Sequence, residues 1–307
     1  MNNPEKSILL IVPWFGKWPA YIRYFIESCR WNPSVDWLII TDCGDLPDLP
    51  PNVRLMQTNL HAYRDLVSAR LSIRCEWDTA YKICDIRPAL ARIHPDLIAP
   101  YDYWGYGDID VVYGDIRSVY TAEVLTHNVI SSHPDRCAGH FVLIRNSEMM
   151  NRAFTRVRGW RGLLARKDNV SFDERHWSNL FVTHRGIGWK EWLTGRLRSP
   201  RLPVKGYFVE QFSTNLPLLS WIDGTRNYPR AWIWREGILT ADNAGDRRFL
   251  YAHFSNWQSG RWLGGGEAAW KDRATIDHCP PGRLTSFQIT AQGFLPLESQ
   301  AFGIAAE

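Results

Sequence analysis

The chain has no apolar run of membrane-spanning length. Its N-terminal run ILLIVPWF, residues 8–15, falls well short of the roughly 20 residues a spanning helix needs. GKWPA follows it in place of a clear cleavage site, so the run reads as a buried strand and any membrane contact is expected to be peripheral, at the inner face. There is no block of like charge: 36 Lys and Arg stand against 32 Asp and Glu, a formal charge of +4, and the basic residues are spread along the chain. That pattern lacks a nucleic-acid footprint and leaves a mildly basic face that could attract phosphates or an anionic surface. Six cysteines, Cys29, Cys43, Cys75, Cys84, Cys137 and Cys279, make no CxxC pair and no zinc spacing, which reads as reduced thiols in a cytoplasmic protein. No internal repeat is visible. What is present is an ordinary globular composition, 45% hydrophobic and 22% charged, at a length of 307 residues that suits one large α/β domain or two small ones.

SILLIVPWFG (7–16) is a continuous apolar run closed by Pro and Gly, the pattern of an interior parallel strand followed by a ligand-facing loop. PAYIRYFIESCR (19–30) spaces Tyr21, Tyr24, Phe25 and Cys29 for a helix. VDWLIITD (35–42) and NVRLMQT (52–58) follow as strands, and the alternation predicts an α/β sandwich. The segment from Ala80 to Ile98 has helical spacing broken at Pro88 and Pro95, which predicts two short helices or one kinked one. WGYGDIDVV is expected as one strand whose end carries acids, and HNVISS (127–132) with GHFVLIRN (139–146) as a further strand pair. Residues 150–200 are expected to be partly helical, GYFVEQFSTN a strand and turn, and RRFLYAHFSNW (247–257) another strand. A glycine run opens the tail, so residues 264–307 are expected to be an appendage or a loosely packed cover.

The informative stretch is YDYWGYGDIDVVYGDI, residues 101–116, in which Asp108 and Asp110 interrupt an aromatic and β-branched pattern. A buried strand accepts neither carboxylate unless a cation or donor meets it. With Ile109 turned into the core, both acids face the carboxyl end of a strand, where α/β sheets bind ligands. Two oxygen donors at one spot suit Mg²⁺ or Mn²⁺, which can bridge substrate phosphates. A solvated turn at a strand end is the competing reading of the triplet alone.

GYGDIDVVYGDIRSVY resembles the metal-binding core of GT-A glycosyltransferases, especially the retaining type of family eight, the galactosyl- and glucosyltransferase type. AGHFVLIRN, FDERHW and HFSNWQSGRW are similar, in order, to a strand pair, an acidic segment and a late histidine loop of that family. The resemblance implies a GT-A type nucleotide-binding α/β/α sandwich with a mixed, mostly parallel sheet over residues 1–263, with a nucleotide half to about 120 and an acceptor half after it. Residues 264–307 form a C-terminal extension. It implies Asp108, Asp110 and His253 as metal ligands and Arg261, where the family has lysine, on the diphosphate. The late loop lacks the family's usual glycine after the histidine and is spaced differently; a histidine held within a strand is the other reading of His253. The resemblance further implies Lys82, Asp85, Arg87 and Asp108 on nucleotide and donor sugar, with solvated charges of an exposed helix as the alternative for the first three. Pro13 and Trp14 fall where a base-binding loop belongs, and Trp14 is either a stack for uracil or a core aromatic. Asp173 and Glu174 stand near the transferred sugar or are helix-starting acids favoured by the macrodipole.

The resulting expectation is a Mn²⁺- or Mg²⁺-dependent transfer from a nucleotide sugar, a UDP-sugar first, to a glycan or lipid-linked acceptor, as in surface polysaccharide synthesis. Trp104, Trp177, Trp189, Trp257 and Trp262 are candidates for an acceptor groove, with core packing as the competing account. The alternatives are a non-catalytic carbohydrate-binding protein on the same scaffold and a phosphoester hydrolase, which would need more ligands for a two-metal site.

Overall fold

A computed structural model describes residues 5–182, 201–214, 220–254, 270 and 275–297. The run ILLIVPW forms β1 (Ile8–Trp14), and its alternation sends Ile8, Leu10 and Val12 into one core and Leu9 and Ile11 into another. The first core is closed by α1 (Ile22–Arg30), where Tyr24, Phe25 and Cys29 are buried at the expected spacing together with Tyr21 just before it. β2 (Val35–Thr41) repeats the two-sided pattern, and β3 (Val53–Gln57) pairs with it in parallel. α2 (Leu60–Leu71) lies against the second core through Tyr63, Val67 and Leu71, and Asn59 caps it by accepting from Ala62 N at 2.9 Å.

Residues 80–98 form a chain of short helical turns rather than one or two helices, because Pro88 and Pro95 each remove a backbone donor and restart the path. β4 (Tyr103–Gly107) follows. The single strand expected over WGYGDIDVV is in fact two, with Asp108, Ile109 and Asp110 as the link to β5 (Val111–Tyr113). The chain continues with β6 (Val129–Ser131), β7 (Phe141–Arg145), β8 (Gly206–Phe208), β9 (Ala231–Arg235), β10 (Ile238–Ala241), β11 (Tyr251–His253), β12 (Ser286–Thr290) and β13 (Gly293–Leu295).

The fold is the α/β type expected, with a mixed, mostly parallel central sheet. Its seven strands run in the order β3-β2-β1-β4-β7-β6-β8, and β7 alone runs against the rest. β4 is central and crowded: a Cβ on Gly105 would sit 2.1 Å from the Val142 carbonyl oxygen, so only glycine lets β7 approach. β5 turns away from this sheet and pairs antiparallel with β11, which sets His253 opposite Val111.

The described part of the C-terminal segment is packed, not loose. β12 and β13 join β9 and β10 in a four-stranded sheet, order β10-β9-β12-β13. This sheet covers α1: the Phe294 ring stacks on Tyr24 at 3.9 Å and Phe287 meets it edge-on at 4.8 Å. Arg23 adds an ion pair to Asp277 at 2.6 Å.

Candidate metal centre

The three candidate ligands come together because of the strand break just described. Asp108 follows β4, and its amide donates to the His140 carbonyl at 3.3 Å. Ile109 is fully buried and anchors the link, so the acids on either side are left at the strand's carboxyl end. The Phe254 amide donates to the Asp110 carbonyl at 3.2 Å, which closes the β5–β11 pair and brings His253 Nε2 to 3.5 Å from Asp110 Oδ1. One ligand atom from each of Asp108, Asp110 and His253 lies within 4.8 Å of the others, and this is the one such group of acids, cysteines or histidines among the described residues. Their side chains remain 29%, 19% and 10% exposed, so an ion could reach them. Two carboxylates and an imidazole make a mixed oxygen and nitrogen donor set that fits Mn²⁺ or Mg²⁺ better than a thiolate-seeking ion.

Within the chain, positive charge meets these acids from two sides. Arg87 pairs with Asp108, reaches Asp173 at 3.4 Å and donates to the Gly139 carbonyl at 2.8 Å. Burial pushes the Asp108 carboxyl above its ordinary range, with Arg87 pulling the other way and the Asp110 charge adding to the rise. Burial would raise Asp110 too, but the His253 imidazolium and its hydrogen bond hold it below the usual carboxylate range. His253 is the converse case: burial would lower it, and Asp110 raises it.

Asp173 and Glu174 are at the same place. They open a single π-helical turn, Phe172–Trp177, a feature often met at functional sites. Burial pushes Asp173 up to about 7, against the pull of Arg87 and with the help of the Glu174 charge. Glu174 Oε1 accepts from the Gly139 amide at 2.9 Å. Arg87, Asp108, Asp110, Asp173, Glu174 and His253 are therefore one constellation, assembled from four separate stretches of chain.

Other expected residues fall elsewhere. Lys82 and Asp85 form a wholly buried ion pair at 2.7 Å. The ammonium also donates to the carbonyls of Leu163 and Asp168, both at 2.9 Å, and Asp85 accepts from Val170 N and Phe172 N. The pair holds the start of the FDERHW turn in place instead of standing as solvated helix charges. Pro13 and Trp14 end β1, whose register sets Ile11 beside Tyr106, so they leave the sheet at the same edge as Asp108. Trp14 is partly buried and its indole donates to the Lys17 carbonyl at 3.0 Å. Trp104 and Trp177 do not line a groove: both are fully buried, Trp104 bonded to Asn151 at 2.8 Å and Trp177 edge-on to Phe181. Trp189, Trp257, Trp262 and Arg261 lie outside the described residues.

The sequence reading missed Thr214, whose hydroxyl lies 3.0 Å from His140 Nε2 and 3.3 Å from His253 Nδ1. It also assigned no role to His140, whose ring stacks on His253 at 4.1 Å. Burial, with the neighbouring His253 charge, holds His140 neutral by lowering it well below the ordinary histidine range. The lone signal for His140 was a histidine at the edge of an apolar strand; Thr214 had none.

A family model described as "Family of unknown function (DUF6625)" matches residues 10–298. The chain belongs to this family. No curated protein matches this DUF6625 chain. Among solved structures, apo mouse xyloside xylosyltransferase 1 is similar to it at a TM-score of 0.33 and 11% identity, over 68% of this chain and 87% of that one. The glycosyltransferase GlyE of Streptococcus pneumoniae TIGR4 is similar at a TM-score of 0.27 and 15% identity, over 48% of this chain and 38% of that one. Both scores lie below the level at which a common fold is established, so the constellation in the DUF6625 chain is interpreted from its own residues.

Proposed function

We propose that this chain is a metal-dependent glycosyltransferase of GT-A type, moving a sugar from a nucleotide-sugar donor, a UDP-sugar first, to a glycan or lipid-linked acceptor. The observation that carries this reading is the convergence of Asp108, Asp110 and His253 at the carboxyl edge of a mostly parallel sheet, where α/β folds bind nucleotides. These three residues would hold Mn²⁺ or Mg²⁺. Such an ion, when bound, neutralises a diphosphate leaving group. Pro13 and Trp14, leaving the same sheet edge, are placed to bound the nucleotide base. Arg87 pairs with both Asp108 and Asp173 and would hold them in place for the donor; Arg261 would add charge at the diphosphate.

Asp173 and Glu174 are the catalytic candidates. If the reaction inverts configuration, Asp173, pushed up to about 7, is suited to take the acceptor hydroxyl's proton near neutral pH. If it retains configuration, the leaving diphosphate takes that proton, and the two acids position donor and acceptor. No helix among the described residues is long and apolar enough to cross a membrane. A lipid-linked acceptor would be met by peripheral contact. The rival reading, a non-catalytic glycan binder, drew on exposed tryptophan faces, and Trp104 and Trp177 do not supply them. A two-metal hydrolase would require a further ligand group, which the described residues do not contain.

Calorimetric titration of UDP, GDP and CDP, with Mn²⁺ and with EDTA, tests the proposal on the wild type and on Asp110→Asn. Metal-dependent binding of one nucleotide, lost in the variant, is the expected result. Binding of glycans without nucleotide or metal would replace it with the binding module.

A further inference from the structure

Behind the candidate ligands lies a second layer of polar side chains with a defined direction. Thr214 is pinned there by the backbone: the His253 amide donates to the Ser213 carbonyl at 2.8 Å, and Thr214 itself bridges to His253 in parallel. Its buried hydroxyl stands between two ring nitrogens, His140 Nε2 and His253 Nδ1. A hydroxyl has one proton and two lone pairs, so it donates to at most one of the two rings, and a ring it does not donate to must itself donate to it.

The two directions have opposite consequences for His253. If Thr214 donates to His253 Nδ1, the proton of a neutral His253 sits on Nε2, the nitrogen that faces Asp110, and that nitrogen has no lone pair for a metal. If His253 Nδ1 donates to Thr214, Nε2 carries the lone pair, and the threonine proton passes to His140 Nε2. The second direction needs His140 as the neutral tautomer protonated on Nδ1. The ring is enclosed there, with His253 stacked on one face at 4.1 Å and His133 edge-on at 5.3 Å. His140 also touches the other half of the centre, because its carbonyl accepts the Asp108 amide.

We propose that Thr214 and His140 are positioning residues: the chain His253 Nδ1–H to Thr214 Oγ1–H to His140 Nε2 fixes the His253 tautomer that presents Nε2, beside Asp108 and Asp110, to a divalent cation. This inference rests on the metal-dependent reading above. Hydrogen-bonded partners behind a ligating histidine commonly set its orientation and tautomer, and their loss typically weakens metal affinity about 10–100-fold.

The test uses Mn²⁺ alone, its free concentration read by electron paramagnetic resonance, on wild type, Asp110→Asn, Thr214→Val and Thr214→Ser. Thr214→Val keeps the side chain's shape and removes the hydroxyl; Mn²⁺ affinity should fall about 10–100-fold, and Thr214→Ser should restore it. A second readout needs no metal: ¹⁵N shifts of the His253 ring at alkaline pH, where the Asp110 carboxylate competes for a proton on Nε2, should show a larger population protonated on Nδ1 in wild type and Thr214→Ser than in Thr214→Val. Wild-type affinity in Thr214→Val, an equal loss in Thr214→Ser, or an unchanged tautomer overturns the inference while leaving the metal centre intact. Failure of the wild type to bind Mn²⁺ overturns the metal reading and this inference with it.

Discussion

Arg87 and Asp108 form an ion pair that ties the helical turns before β4 to the first residue after it. The same guanidinium reaches Asp173 at 3.4 Å, so one buried cation answers two acids drawn from different parts of the chain. Arg87→Met removes that charge and leaves both carboxylates in low-dielectric surroundings, a change that typically costs about 3–5 kcal/mol. Arg87→Lys keeps the charge but not the planar fork that reaches both acids, and should lie between wild type and Arg87→Met. Urea denaturation midpoints should fall in the order wild type, Lys, Met; equal midpoints for wild type and Arg87→Met would remove Arg87 from the scaffold of the site.

Lys82 and Asp85 give a second case of a charge pair working inside the fold. Every partner of the Lys82 ammonium identified above belongs to the protein: Asp85, the Leu163 carbonyl and the Asp168 carbonyl. Lys82→Met should therefore cost about 3–5 kcal/mol, since it strands Asp85 in the interior. Because Asp85 also holds the amides of Val170 and Phe172, amide hydrogen exchange over residues 168–174 should quicken in the variant. Protection there equal to wild type would show that the pair does not brace the acidic turn.

Acid should destabilise the protein in part through His94. Burial, with the nearby Arg70 charge, pushes it down to about 4, and its ring stacks on Tyr63 with Nε2 3.2 Å from the phenol oxygen. The unfolded chain takes up this proton near the ordinary value of about 6.5, while the folded chain resists until about 4. The contribution is fully present above pH 6.5, and it is lost as pH falls through that window to about 4, by roughly 3 kcal/mol at most. His94→Phe leaves the Tyr63 hydroxyl without this partner, so it should be less stable than wild type at pH 7. It should also lose less on acidification. Urea titrations at pH 7, 5.5 and 4.5 measure the gap, which should narrow as pH falls; a constant gap would exclude His94 as a source of the acid loss.

These cases show what the sequence could and could not reveal. β1 was legible because ILLIVPW is apolar on both faces, and α1 because Tyr21, Tyr24, Phe25 and Cys29 repeat at helical spacing. Asp108 and Asp110 were legible because carboxylates in an aromatic strand pattern demand a reason. The break between β4 and β5 was not, since Val111 and Val112 continue the strand pattern and the partner that draws β5 away, β11, is about 140 residues downstream. Lys82 and Asp85 read as solvated helix charges because the segment that buries them, residues 163–172, comes about 80 residues later. α2 escaped notice because NLHAYRDLVSARL fully buries only Tyr63, Val67 and Leu71, with Leu60 and Leu66 partly covered and charged residues interleaved among them. The glycine run masked a tail whose Phe287, Ile289 and Phe294 belong to the core.

Two glycines separate the demands of the fold from those of the site. On Gly105 an added Cβ would meet a backbone oxygen, Val142 O, at 2.1 Å, and the Leu10 and Leu143 methyls at 2.9 Å. The central sheet cannot yield there without parting β4 from β7, so Gly105→Ala should destabilise by about 3 kcal/mol or more, at or beyond the upper end of ordinary overpacking. On Gly139 the Cβ would instead meet Arg87 Nη1 and Glu174 Oε1, each at 3.0 Å, with Asp173 Oδ2 at 3.5 Å. Those atoms end flexible side chains and can withdraw, so Gly139→Ala should fold with a loss of about 1 kcal/mol. Their withdrawal displaces the groups proposed to handle donor and acceptor, and a misplacement near 1 Å can cost about 10²-fold in rate. Thermal unfolding and the transfer rate, measured together, should therefore place Gly105→Ala among stability defects and Gly139→Ala among activity defects. A fully active Gly139→Ala would remove Arg87, Asp173 and Glu174 from the reacting centre.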